Sequence, residues 1–343
     1  MTPPAPLDDV RDISKLAYGF MASKALFAAL ELDIFGHLAG GGKTLAEVAG
    51  ETRVASSRLQ TLLTACVSVG LLSKSGDRYL NAPAAQEYLV RTAPRYFGDY
   101  YRFQIDRQVY PAFAKLSEAL HGKRMDFYNV TQDSEEADYF SRAQHSGSLG
   151  PAVVLSKLVD LKGRRNLLDV AGGSGAFSIT LCRRYPDLAA TIMDFPAVEP
   201  TARRFVTEAR LEDRIRFFPG NALEVAWPAD QDVVLISYLM SSVPGSAIPS
   251  LLAHAIKALR PGGLLIVHDF MVNDEGTGPT SAALWQLCGL LIDPDAELLA
   301  PASLSRSIAE AGFDDVQDRE VIPTITRMIT AVRPSAGAEA TRA

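Results

Sequence analysis

The stretch from Asn166 to Pro196, NLLDVAGGSGAFSITLCRRYPDLAATIMDFP, limits the folds open to this chain more than any other. Leu167-Leu168-Asp169-Val170 is a short apolar run of the kind a buried parallel strand needs. Ala171-Gly172-Gly173-Ser174-Gly175 follows, a turn nearly bare of side chains, where backbone can approach a ligand closely. The spacing then predicts an amphipathic helix from Ala176 to Arg184, and a second apolar run, Ala190 to Met193, ends in Asp194. Strand, glycine turn, helix, strand and acid make half of a nucleotide site, with the acid placed to accept from ribose hydroxyls.

Which nucleotide it holds is decided further along. Ile215–Phe218, Val233–Ile236, Leu264–Val267, Val316–Val321 and Ile325–Val332 are the remaining strand candidates, with helices near 202–209, 247–259 and 303–311. Arg260-Pro261-Gly262-Gly263 is read as a helix stop and turn. Only the short Ile322-Pro323-Thr324 connection separates the last two strands, so they should pair antiparallel. Seven strands with a reversed terminal hairpin differ from the six-stranded dinucleotide fold, and Ser178 stands where GxGxxG has its third glycine. NAD is therefore disfavoured. The expected class is α/β, a Rossmann-like seven-stranded sheet behind an N-terminal, mostly helical, winged-helix domain.

The N-terminal part supports that division. Residues 1–12 form a Pro-rich arm expected to be disordered, as is a tail over 334–343. Ile13, Leu16, Ala17, Phe20, Met21, Lys24 and Phe27 recur at helical spacing, a stripe that either packs on its own domain or meets a second copy. Thr44 and Glu47 spell a capping box, a second helix spans Ser57–Val69, and residues 71–80 read as a hairpin around Ser-Gly-Asp. The second helix carries Arg58 alone, with Arg53 before it, and apolar residues dominate, which argues for dimerisation over 13–95 and against DNA binding. Residues 96–153 are expected to form a helical linker that covers a pocket, and 154–333 the cofactor-binding domain. Within the linker, FGDYYRFQIDRQVY (97–110) and DYFSRAQHSGS (138–148) mix aromatics with groups that donate and accept hydrogen bonds.

Charge and cysteine usage narrow the partners. A net charge of -6 speaks against nucleic acid, which needs a concentrated basic face. The three cysteines, Cys66, Cys182 and Cys288, lie far apart in apolar contexts, as buried thiols of a reducing compartment do. No His, Asp or Glu cluster has ligand spacing, so no metal is expected. No signal peptide or membrane-spanning run is visible, and a cytoplasmic location is expected.

Together the segments LLDVAGGSGAFSITL, YPDL, MDFPAVEPTA, FFPGNALE and LRPGGLLIVHDF resemble the class I S-adenosylmethionine-dependent methyltransferases. The likeness is to the large O-methyltransferase-like family with an N-terminal winged-helix dimerisation domain. It implies S-adenosyl-L-methionine as cofactor and S-adenosyl-L-homocysteine as product, a small-molecule substrate and a homodimer. It also implies cofactor contacts from Gly172, Gly173 and Gly175 to the methionine part, from Asp194 to the ribose, and from Asn221, Ala222 and Leu223 to the adenine. Asn221 replaces the family's usual Asp, and its amide is expected to pair with an adenine edge. Ser148 and Tyr238 are further cofactor candidates.

The main departure follows the fourth strand. The family commonly reads Leu-His-Asp-Trp there, its His being the general base; this chain reads Leu239-Met240-Ser241-Ser242. Phenols titrate near pH ~10 and a positioned base contributes roughly 10²–10⁴-fold, so its loss suggests an acceptor atom with no proton to remove. Among the remaining histidines, His37, His121 and His254 are expected on the surface. His268 is either a packed imidazole or a substitute base, and His145 is a substrate or catalytic candidate. Two subfamilies with a missing His are similar: the bacteriochlorophyllide C-methyltransferases and, on the YYRFQIDRQVYPAF and RAQH segments, the bacterial S-methyltransferases of dimethylsulfoniopropionate synthesis. The expected reaction is S-methylation of 4-methylthio-2-hydroxybutyrate without a base. Tyr101, Gln104, Arg142, Gln144, His145, Met240 and Trp285 are the expected substrate residues. O- or C-methylation of an aromatic metabolite or pigment is the alternative, and a non-transferring cofactor-binding member is the alternative from another class.

Overall fold

Helical spacing of apolar residues builds α1 (Val10–Glu31), whose Asp9 cap accepts the Arg11 amide at 2.7 Å. Only its C-terminal part is buried, through Phe27, Ala29 and Leu30; Ile13, Leu16, Phe20 and Met21 are exposed, Leu16 by 72%. The computed structural model describes residues 5–124 and 134–335; residues 1–4 of the expected arm and 336–343 of the expected tail lie outside them. After α1 come α2 (Ile34–His37), β1 (Lys43–Thr44), α3 (Leu45–Thr52) and α4 (Ser56–Ser68). Thr44 and Glu47 form the capping box of α3 reciprocally. β2 (Leu72–Ser75) and β3 (Arg78–Asn81) are the antiparallel hairpin, with β1 added at the β3 edge. Ile34, Phe35, Leu59, Leu63, Cys66 and Tyr79 form the core beneath it, beside α5 (Pro83–Tyr88).

Tyr100–Val109 follows as a π-helix. Periodicity of 3.6 predicts an α-helix here, and the wider turn changes which residues share a face. The chain divides into two compact units between Gln108 and Val109, inside the segment expected as one linker.

The second unit begins with α6 (Tyr110–Phe113), α7 (Leu116–Leu120) and α8 (Ser134–Leu158). Its sheet is built from β4 (Asn166–Val170), β5 (Ala189–Asp194), β6 (Ile215–Pro219), β7 (Gln231–Ser237), β8 (Leu259–Asp269), β9 (Asp314–Ile322) and β10 (Thr326–Val332). α9 (Ala176–Arg184) and α10 (Glu199–Ala209) lie between strands on one half of the sheet. α11 (Ile248–Ala258), α12 (Thr280–Ile292) and α13 (Pro301–Glu310) are inserted along the other half. The order is β6-β5-β4-β7-β8-β10-β9, parallel up to β8 and antiparallel in β10 and β9. Helices cover both faces, so β7 is buried from Gln231 to Ile236, as central parallel strands require.

Two expectations are corrected here. Arg260–Gly263 is not a turn but the bulged start of β8: the Gly262 amide donates to Arg333 O and the Arg333 amide to Gly263 O, both at 2.9 Å. A strand partner thus absorbs a sequence that looks like a stop. Of the histidines expected on the surface, His121 is exposed, whereas His37 and His254 are half-buried, the His254 ring lying 5.4 Å from that of Trp227.

Candidate active site

The chain leaves β4 toward β5 and β6 on one side and later returns to β7 on the other. The crevice at the carboxyl ends of β4 and β7 is therefore the topological switch point, where open α/β sheets bind ligands. The glycine turn leaves β4 directly into it. A Cβ at Gly172 would stand 2.7 Å from the Asp169 carboxyl carbon, and one at Gly175 would stand 2.5 Å from Ile192 Cδ1. Ala171 takes φ 53°, a left-handed conformation that costs a side-chain-bearing residue roughly 1–2 kcal/mol.

Beneath the turn, Asp169 is fully buried. Ser178 Oγ donates to its Oδ2 at 2.7 Å, while Oδ1 has no hydrogen-bond partner among the described residues. Burial pushes this carboxyl up to about 7. Asp194, at the end of β5, accepts the Gly173 amide on Oδ2 and the Phe195 amide on Oδ1, each at 2.7 Å. Burial raises it to about 6 despite those two donors. The acid and the turn are thus one hydrogen-bonded unit.

On the far side of Asp194, Asn221 spends its amide locally. Its Oδ1 accepts the Leu223 amide at 3.0 Å and its Nδ2 donates to Glu224 Oε1 at 2.8 Å. Asn221 thus closes an Asx turn. The Trp227 indole donates to Ala222 O at 2.9 Å and fixes the rest of this rim, with Leu223 exposed at its tip.

Tyr238 follows β7 at φ 58°, a strained conformation for an aromatic residue, held by its amide on His268 O at 2.8 Å. Its ring lies 5.2 Å from Phe270, and Phe270 stacks on Trp285 of α12 at 4.6 Å and 27°. These three half-buried rings make a ladder from the end of β7 to α12. Phe270 has no signal in the sequence beyond its place after a strand.

The turn after β7 and the end of β8 hold two of the expected site residues, Met240 and His268. Met240, expected at the substrate, is 2% exposed and packs into the sheet core. Ser241 faces Asp269 instead: its amide donates to Oδ2 at 3.0 Å and its hydroxyl to Oδ1 at 2.6 Å. Burial raises the Asp269 carboxyl to about 6. His268 is buried with Nδ1 2.9 Å from Ser237 Oγ and Nε2 2.9 Å from Thr326 Oγ1. Burial lowers it to about 3. Both ring nitrogens are engaged, the arrangement of a packed imidazole and not of a substitute base.

His145, expected as a substrate or catalytic residue, reaches the glycine turn. Its ring stacks on Phe205 of α10 at 3.6 Å and 4°, and Nδ1 lies 3.1 Å from Ser174 Oγ in the glycine turn. Burial, and then the charges of Arg183 and Arg204, lower it to about 4. Ser148, three residues on, is buried on the same helix. Arg142 leans toward Asp138 at 3.9 Å, and Asp138 is held by Thr201 Oγ1 at 2.7 Å and by Arg204 at 3.1 Å. Gln144 is half-buried. Tyr101 and Gln104 sit on the π-helix of the first unit. Tyr101 packs against that unit's core, with its ring 5.2 Å from Phe97, and Gln104 is buried. Trp285, His145, Arg142 and Gln144 belong to the second unit, so the expected substrate set is divided between the two.

The donor set at the switch point fits S-adenosylmethionine. An unpartnered carboxylate oxygen and open backbone lie at the turn, a carboxylate stands where a ribose would follow, and an apolar rim lies beyond it. Among the described residues no group of three or more His, Cys, Asp or Glu is placed to hold a metal ion, and no helix is long and apolar enough to cross a membrane.

Known proteins agree with this architecture. Residues 112–314 match the O-methyltransferase domain and residues 14–91 the O-methyltransferase dimerisation domain. The tetracenomycin polyketide synthesis 8-O-methyl transferase TcmO of Streptomyces glaucescens is 31% identical over 94% of this chain and 96% of its own. The N,N-dimethyltransferase OxyT of Streptomyces rimosus is 32% identical over 97% of this chain and 99% of its own. The crystal structure of human N-acetylserotonin methyltransferase in complex with SAM superposes with a TM-score of 0.85 at 24% identity, covering 97% of this chain and 100% of that one. With both domain types in order along one chain, this protein belongs to the O-methyltransferase family.

Proposed function

We propose that this enzyme transfers a methyl group from S-adenosylmethionine to a hydroxyl of a fused aromatic compound of the polyketide type. The observation that carries this reading is the Tyr238–Phe270–Trp285 ladder beside the glycine turn. Planar acceptors gain about 0.5–1.5 kcal/mol from each well-oriented ring beyond area burial. The similarity to TcmO, named for an 8-O-methyl transfer in polyketide synthesis, points the same way.

S-methylation of a small thioether acid loses its support. That substrate needs a cationic anchor for its carboxylate. Arg142 leans toward Asp138, and His145 is engaged with the cofactor turn. The relatives named above provide no thioether acceptor either.

S-adenosylmethionine, when bound, supplies a methyl group activated on a sulfonium centre. Gly172, Gly173 and Gly175 would hold its methionine part, Asp194 the ribose and the 221–223 rim the adenine. Tyr238, Phe270 and Trp285 would orient the acceptor. With Met240 packed inward and His268 saturated, neither position offers a base, so the acceptor hydroxyl would enter as its phenolate, its proton already lost to water. The phenolate oxygen bonds the methyl as the sulfonium C–S bond breaks to the neutral thioether, and proximity and orientation carry most of the rate. The exposed apolar face of α1, in the region matching the dimerisation domain, supports a homodimer.

Only two tryptophans are present, Trp227 and Trp285, so a W227F variant leaves Trp285 as sole reporter. Titrating 1,8-dihydroxyanthraquinone into this variant with S-adenosylhomocysteine present should quench its emission saturably, while 4-methylthio-2-hydroxybutyrate should leave it unchanged. An unquenched Trp285 in protein that binds S-adenosylhomocysteine normally would contradict the aromatic-acceptor reading.

A further inference from the structure

The glycine turn is held at three points by side chains from three different elements. Asp169 of β4 fills the space under Gly172, Asp194 of β5 takes the Gly173 amide, and His145 of α8 meets the Ser174 hydroxyl. The first two belong to the sheet that bears the turn. The third reaches in from a helix that precedes the sheet, and nothing in the reaction described so far uses it.

We propose that His145 is a positioning residue for the cofactor. From α8 it fixes Ser174 Oγ and so sets the backbone between Gly173 and Gly175 before the cofactor arrives. This rests on the assignment of that turn to S-adenosylmethionine.

Ser174 is 2% exposed and stands between Gly173 and Gly175, at φ 55° and 77°. A turn so rich in glycine has many conformations to lose, and each anchor removes part of that entropy before binding. The imidazole is itself well held. It lies flat on Phe205 at 3.6 Å, and Asp138, two turns earlier on α8, is tied to α10 through Thr201 and Arg204. The ring has no freedom to follow a wandering turn, so the turn must follow the ring. A neutral imidazole, as burial here enforces, accepts or donates at Nδ1, and the hydroxyl suits either.

A histidine merely packed on Phe205 would have its role filled by any flat ring, and this separates the two cases. H145F keeps the stack and removes Nδ1; H145N keeps a polar atom near the Nδ1 position and removes the ring; S174A removes the hydroxyl. Calorimetric titration with S-adenosylhomocysteine needs no acceptor and no turnover. H145F and S174A should each raise Kd about 5- to 10-fold, as loss of one hydrogen bond to the turn implies. H145N should recover at least half of that loss. The H145F/S174A double variant should be no weaker than either single one, because both break the same link.

Binding by H145F within about 2-fold of wild type, or single effects that multiply in the double variant, would overturn the proposal. S174A and H145N give the same contrast should H145F fail to fold, which its melting temperature without ligand reports. Wild-type protein that does not bind S-adenosylhomocysteine at all would instead overturn the cofactor assignment, and this proposal with it.

Discussion

Replacing Asp194 with Asn should weaken S-adenosylhomocysteine binding about 100-fold, the loss of one or two hydrogen bonds to a charged acceptor. Both carboxylate oxygens already face N–H donors, from Gly173 and Phe195, and keep lone pairs for further donors such as ribose hydroxyls. An amide must point its NH2 at one of those backbone donors, so the turn is disturbed while the ribose loses a charged acceptor. Titration calorimetry gives the affinity directly. The same carboxyl makes binding pH-dependent with a definite sign. Burial raises it to about 6, and hydroxyl donors favour its ionised form. Affinity should therefore be full above pH ~6 and fall as pH drops through it, a limb that D194N should lack. Equal affinity for wild type and D194N would remove Asp194 from the site.

A different carboxylate governs stability. Asp232 is fully buried at the start of β7, at the sheet end opposite the site. Its Oδ2 accepts the Arg165 and Asn166 amides at 2.6 and 2.9 Å, and Arg260 pairs with its Oδ1. Arg164 donates to the Asp232 carbonyl at 2.7 Å. One side chain thus ties the entry to β4 to the starts of β7 and β8. D232A leaves the Arg165 and Asn166 amides without their acceptor, about 1–3 kcal/mol for each unsatisfied donor, while the half-exposed Arg260 guanidinium turns to water. For a unit of this size the two amides together correspond to a fall in Tm of roughly 10 °C. Affinity for S-adenosylhomocysteine in the folded fraction should be unchanged, because nothing at the switch point moves. A melting temperature within about 2 °C of wild type would show that the two amides find other partners.

Most of the sheet was legible because parallel strands buried on both faces leave unbroken apolar runs. Val233–Ile236 is such a run and Leu167–Val170 is broken only by Asp169, and their observed bounds differ by at most two residues. The start of β8 was illegible for the converse reason. Pro and Gly forbid regular pairing locally, yet Arg333 of the neighbouring chain segment supplies bonds that a linear reading cannot see. The π-helix at Tyr100–Val109 escaped because a 3.6-residue period is assumed before it is tested.

In the site, what depends on backbone was readable and what depends on tertiary approach was not. Glycines before a helix and an acid after the next strand carry their geometry with them. His145 does not: its sequence context suggested substrate, whereas Ser174 and Phe205, 29 and 60 residues away, decide its contacts. Met240 was legible as a residue without a basic side chain, but not its burial in the sheet core, nor the hydrogen bond from the neighbouring Ser241 hydroxyl to Asp269. Tyr238 was named as a cofactor candidate, while its left-handed backbone and its ring contact with Phe270 have no counterpart in residue type.

Methyl transfer itself is the most direct test. Wild-type enzyme incubated with methyl-labelled S-adenosylmethionine should label hydroxylated naphthalenes and anthraquinones on oxygen, as product mass and methoxy resonances would report. It should leave 4-methylthio-2-hydroxybutyrate unlabelled. Labelling of the thioether acid, with the aromatic hydroxyls untouched, would contradict the account.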